Sequence, residues 1–132
     1  MNLPDIDTSI RVTCETGHLA DFYNNAKASL TSAEEVSLSE DQTVLIVKIT
    51  GGGNSPLEQH LDRGIELVQT LRALRNFPSE STVALWTVIS SSQEFIGIVV
   101  PENTVQMASR AGVNFVFSVY ACQEDQSPSE SP

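Results

Sequence analysis

Short β-branched, apolar runs alternate with helical patterns along this chain, and that alternation constrains the fold more than any other feature. Residues 7–15 lead into a helical pattern over 17–30 and then a second run over 34–39. Residues 43–50 lead into 56–76 and then 81–90, and residues 95–100 lead into 102–111 and then 113–122. Strands separated by crossover helices specify a sheet with helices packed on it, which is a statement about fold and not yet about chemistry.

Each element has a physical reason. Ile10, Val12 and Cys14 alternate with Arg11 and Thr13, as in a strand with one face in a core. The next helix spaces Leu19, Phe22, Tyr23, Ala26 and Leu30 by three and four residues, with Thr16 as cap and Gly17 easing the tight turn before it. Val44 to Ile49 is almost continuously apolar, which suits a strand covered on both faces or one that offers a face to a partner subunit. The long helix is signalled by Ser55 as cap, Pro56 as its first residue and Glu58 completing a capping box. Its stripe is Leu57, Leu61, Ile65, Val68 and Leu71, widened by Leu67 and Leu74, and Asn76 and Pro78 stop it.

In the last third, Val83, Leu85 and Ile89 form one apolar set and Ala84, Trp86 and Val88 another, so both faces of that strand are expected to be covered. Ser90 to Gln93 reads as a hairpin loop into a strand over 95–100, with Gly97 marking a bulge and Pro101 breaking the ladder. Val105, Ala108 and Ala111 line a short helix ending at Gly112, and Val113, Phe115, Phe117 and Val119 alternate in a final strand. Strand-helix-strand twice over gives an α+β ferredoxin-like split βαβ sandwich. A third such unit extends it, for a six-stranded, mainly antiparallel sheet with three helices.

At 132 residues, with 40% apolar side chains, the chain is expected to form one domain over residues 1–122. Residues 123–132 carry three acids and no base and are expected to be a disordered tail. Seven basic against seventeen acidic residues give a formal charge of −10, which repels nucleic-acid phosphates and anionic lipid. No apolar run reaches the ~18 residues of a membrane span, and the first residues lack the basic and apolar regions of a signal peptide. A cytoplasmic protein with reduced cysteines is therefore expected, without nucleic-acid or membrane partners.

Few groups point to chemistry. Gly51, Gly52, Gly53 and Asn54 run into the capped helix at Ser55, where free N–H groups at a positive helix end could hold phosphate or carboxylate. This run lacks the Lys-Ser/Thr of a P-loop and the Gly-x-Gly-x-x-Gly fingerprint, and its plainer reading is a flexible strand-to-helix connection. Cys14, His18, His60 and Cys122 could in principle satisfy a tetrahedral zinc, but their spacings match no zinc module. His60, beside the apolar stripe, is expected to be solvated. No nucleophile, base and oxyanion arrangement is visible, so neither cofactor nor metal nor catalytic residue is assigned. Glu58, Asp62 and Glu66 repeat every four residues along one side of the long helix. They are first contacts for a basic protein partner, or plain solvating charges, with Asp62 and Glu66 near Arg63 and Arg72 as weak surface pairs.

Residues 57–68 (LEQHLDRGIELV), 82–86 (TVALW), 95–101 (FIGIVVP) and 105–120 (VQMASRAGVNFVFSVY) together resemble the bacterial domain of unknown function 4279 family. The likeness rests on apolar positions and Gly112; it departs where residues 44–49 contain no Trp and where Ser118 replaces an acid ahead of the last Tyr. It implies a short single domain and carries over no catalytic residue. Two functions follow as expectations. One is a small acidic interaction module of the immunity-protein kind that neutralises a basic toxin. The other is an ACT-like regulatory domain that binds a small molecule near Gly17, and a homodimer is compatible with either.

Overall fold

The computed structural model describes residues 5–15, 19–30, 34–49, 56–91 and 97–121. They form β1 (Asp5–Thr13), α1 (Ala20–Ser29), β2 (Glu34–Leu38), β3 (Val44–Ile49), α2 (Leu57–Arg72), β4 (Thr82–Ser91), α3 (Glu102–Ala111) and β5 (Val113–Ala121). The fold is α+β with an open, mixed sheet in the order β2-β3-β1-β4-β5. The β1–β3, β1–β4 and β2–β3 pairs are antiparallel, and β4–β5 is parallel.

The register brings one alternate residue of every strand onto a common face. Ile10 lies between Val47 and Leu85, Val12 between Leu45 and Val83, and Val113 beside Val83. These side chains are buried, and the helices supply the other half of the core: Leu19, Phe22 and Ala26 from α1, Leu61, Ile65, Val68 and Leu71 from α2, and Ala108 and Ala111 from α3. Crossovers carry the chain from β3 over β1 to β4 and on to β5, with α2 and α3 side by side on this face. None of the described helices is long and apolar enough to cross a membrane.

Two features fix the position of α2. Gly64 faces β4 so closely that a Cβ on it would sit 2.6 and 2.8 Å from the δ-carbons of Leu85. At the far end Arg72 donates from Nε to the Ala111 carbonyl (2.7 Å) and from Nη2 to the Gly112 carbonyl (3.1 Å), tying α2 to the end of α3. Gly112 ends α3 in the left-handed conformation (φ 69°), as expected of a glycine cap.

Several boundaries are corrected. Among the described residues the sheet has five strands, not six: of the expected strand 95–100, residues 97–100 join no ladder, and 95–96 lie outside the described residues. Both flanks of β4 are already occupied by β1 and β5, so this run has no place beside it. The third strand-helix-strand unit is therefore β4-α3-β5. The α1 helix starts at Ala20, with the Leu19 carbonyl accepting from the Tyr23 N–H (2.7 Å). Pro56 is extended and precedes α2, which ends at Arg72 where hydrogen bonds from Ala73 to Thr70 and from Leu74 to Leu71 tighten the last turn. The expected tail, 123–132, and the capping serine Ser55 lie outside the described residues.

The β2–β3 connection carries a pH-dependent device. The Thr43 hydroxyl (2.6 Å), the Ser39 hydroxyl (2.7 Å) and the Thr43 N–H (3.1 Å) all donate to one oxygen of Asp41. In that order they lower its carboxyl from an ordinary 3.8 to about 2. Because the folded value is the lower one, the turn's contribution is complete above pH 3.8 and is lost as pH falls through about 2. Carbon-detected NMR should follow the Asp41 carboxyl to that low midpoint, and Thr43→Val should raise it. A midpoint at the ordinary value in the parent would contradict this turn geometry.

Candidate functional site

The face of the sheet turned away from the helices presents the other alternate residues. One row across it reads Glu35, Lys48, Ser9, Trp86 and Val116, from β2 to β5, and the next reads Ile46, Arg11 and Ala84. Val44, Ile46, Ala84, Trp86, Val88 and Val116 are only half-buried, so this face shows a band of partly exposed apolar surface. The Arg11 guanidinium lies 4.0 Å from the centre of the Trp86 ring, a cation–π contact that holds the indole against the sheet. Arg11 Nε is buried without a hydrogen-bond acceptor. Asp5, Asp7 and Glu35 are exposed at the margins of the band.

The two apolar sets of β4 are thus not equivalent. Val83 and Leu85 pack in the core with the helices and Ile89 is buried, whereas no described helix covers Ala84, Trp86 and Val88. The sequence showed this second set but could not show that all three crossovers fall on one side.

A second site lies on the helix side, at the end where β4 and β5 finish. The buried polar side chains here are Thr8, His60, Thr87, Ser91 and Thr104. Thr8 is opposite Thr87 in the ladder, and Ser91 closes β4. β3 and β4 run parallel, so the crossover helix α2 runs antiparallel to β4. One turn from Gly64 toward the start of α2 therefore puts His60 level with Thr87, two residues beyond Leu85. His60 Nε2 and Thr87 Oγ1 are both buried without a hydrogen-bond partner. This corrects the expectation of a solvated His60: Gly64 lets α2 approach β4 closely enough to bury the ring.

The other expected site residues fall apart. Asp62 is half-buried and accepts from the Thr104 hydroxyl (2.9 Å), so it links α2 to α3, while Glu58 and Glu66 stay exposed. Arg72 clamps α3 and stacks on Phe77 (5.0 Å), so the surface pairing expected for it is replaced by a structural role. Gly17, Gly51, Gly52, Gly53, Asn54 and Ser55 lie outside the described residues, as do His18 and Cys122. Cys14 is buried at the end of β1, and among the described residues no group of three or more His, Cys, Asp or Glu could hold a metal ion. No family model, curated protein or solved structure matches this chain.

Proposed function

We propose that this chain is a protein-interaction module that docks a basic protein on the helix-free face of its sheet. The observation that carries the reading is the half-exposed band of Ile46, Trp86, Val88 and Val116 on a face no described helix covers. A net charge of −10, with exposed Asp5, Asp7 and Glu35 at the margins of the band, favours a partner of opposite sign and speeds its approach. Glu58 and Glu66 on α2 belong to the steering field and not to the contact. A cytoplasmic immunity-type protein that neutralises a basic toxin is the form this function takes here. The strand order β4-β1-β3-β2, antiparallel throughout, supports reading that half as a ferredoxin-like split βαβ unit extended by α3 and β5. The likeness of residues 57–120 to the domain of unknown function 4279 family stands beside this as a proposed kinship.

A photo-crosslinking residue placed at Val88, at Glu66 and at the remote turn residue Gln42 tests the reading in extracts of the source cells. The Val88 position should trap a basic polypeptide and the Gln42 position none. Equal trapping at all three, or none at Val88, would remove the sheet face from the functional account.

The burial of His60 and Thr87 favours a second reading, a domain that binds a small polar molecule at the helix side of the sheet, at the opposite end of β1 from the Gly17 turn where an ACT-like ligand is expected. An unsatisfied buried polar group costs about 1–3 kcal/mol, which a ligand's donor or acceptor would relieve. Thr87→Val removes the hydroxyl at constant shape and should stabilise the ligand-free protein by about 1 kcal/mol. Chemical denaturation measures this directly, and a loss of stability would show that the hydroxyl is already satisfied. Thermal-shift screening of amino acids and inorganic phosphate against the parent then decides whether a ligand restores stability there.

A further inference from the structure

The two edges of the sheet are built differently. At one edge β2 is five residues long and carries Glu34 and Glu35, a short and charged strand of the kind that resists pairing with another chain. At the other edge β5 runs for nine residues, VNFVFSVYA, with no charge, proline or glycine. Among the described residues no strand pairs with its outer side. Large apolar side chains are unusually exposed along this rim: Val119 at 44%, Tyr120 at 58% and, on the adjoining α3, Val105 at 48%. Val105, Ser109, Gly112, Asn114 and Phe115 line a groove of about 410 Å³ between α3 and β5.

We infer that β5 pairs antiparallel with β5 of a second copy of this chain, joining two five-stranded sheets into one. The strand is self-complementary about its middle residue, Phe117. A two-fold axis there sets Phe115 opposite Val119 of the second copy, apolar against apolar on the helix side. On the helix-free side it sets Asn114 opposite Tyr120 and Val116 opposite Ser118. Val119 of each copy then enters the other's groove beside Phe115 and Val105, which covers surface the single chain leaves in water. Charge selects this edge as well. Two chains of −10 repel, and β5 is the one edge strand that brings them together without adding a carboxylate to the seam. The contact closes at two copies because the guarded β2 edge is all that remains outside. This goes beyond the docking reading and does not depend on it, since it uses the strand edge and not the sheet face.

Sedimentation equilibrium of the full chain over a wide concentration range tests the inference. The parent should approach twice the 14.3 kDa of a single chain. Val119→Lys should sediment as a single chain while keeping the parent's circular dichroism, and Glu35→Ser at the opposite edge should leave the dimer intact. Tyr120→Lys, at a more exposed position, provides the same test if Val119→Lys does not fold. A parent that is monomeric at every concentration overturns the inference, as does a dimer that survives lysine at both positions.

Discussion

Ile65→Asp should leave this protein unable to fold. Ile65 is fully buried at the middle of the α2 stripe, between Leu61 and Val68, with the sheet beneath it. A carboxylate there has no cation within the apolar core to pair with, and burying it or forcing its protonation costs several kcal/mol. Single domains are held by about 5–15 kcal/mol in total, so the substitution consumes most of the margin. Circular dichroism should show no cooperative melt. A folded, soluble Ile65→Asp protein with the parent's melting curve would mean that this side of α2 faces water or a partner, and the core described above would be wrong.

The second large effect is expected at Gly64. The missing side chain lets α2 lie against Leu85, itself fully buried in β4. Valine at this position drives methyl groups into Leu85 where a Cβ alone already falls inside contact distance, and such overpacking costs about 1–3 kcal/mol or more. Its gain in helix propensity over glycine is a few tenths of a kcal/mol, too small to offset that. The melting temperature should fall by roughly 3–5 °C per kcal/mol lost in a domain of this size. Shrinking the opposing residue, as in Gly64→Val with Leu85→Ala, should recover part of the loss, because the two changes share one contact and do not add. A Gly64→Val protein as stable as the parent would place α2 further from β4, and would undo the reason given for the burial of His60.

Where periodicity reports a local pattern, the structure follows it. The alternation at Ile10, Val12 and Cys14, the five-residue stripe of α2 and the left-handed cap at Gly112 are all found as the residues imply. Each depends on neighbours within a few positions. The run 95–100 reads as a strand because it is apolar and β-branched, yet Val99 is 79% exposed and Pro101 precedes α3. Strand formation needs an open neighbour, and β4 has none; pairing order is a property of the whole sheet. The candidate site was legible only as residues without an address. Ala84, Trp86 and Val88 stood out as a second apolar set, but only the handedness of three crossovers decides that no described helix covers them. Asp62 looked like its exposed neighbours Glu58 and Glu66 until α3 brought Thr104 against it. His60 lies beside the apolar stripe, where a solvated ring is ordinary, and its burial follows from the glycine four residues on.

Trp86 is the chain's one tryptophan and stands in the middle of the helix-free face, so a label there reports on that face alone. The most direct measurement is the fluorine NMR signal of protein carrying 5-fluorotryptophan at Trp86, recorded in buffer and in extract of the source cells. Docking of a basic protein on this face should shift or broaden the single resonance in extract. High salt, or the face variant Val88→Lys, should return it to its position in buffer. A resonance that is sharp and unmoved in extract, under conditions where the protein is bound to another macromolecule, would place the binding surface elsewhere and contradict the account.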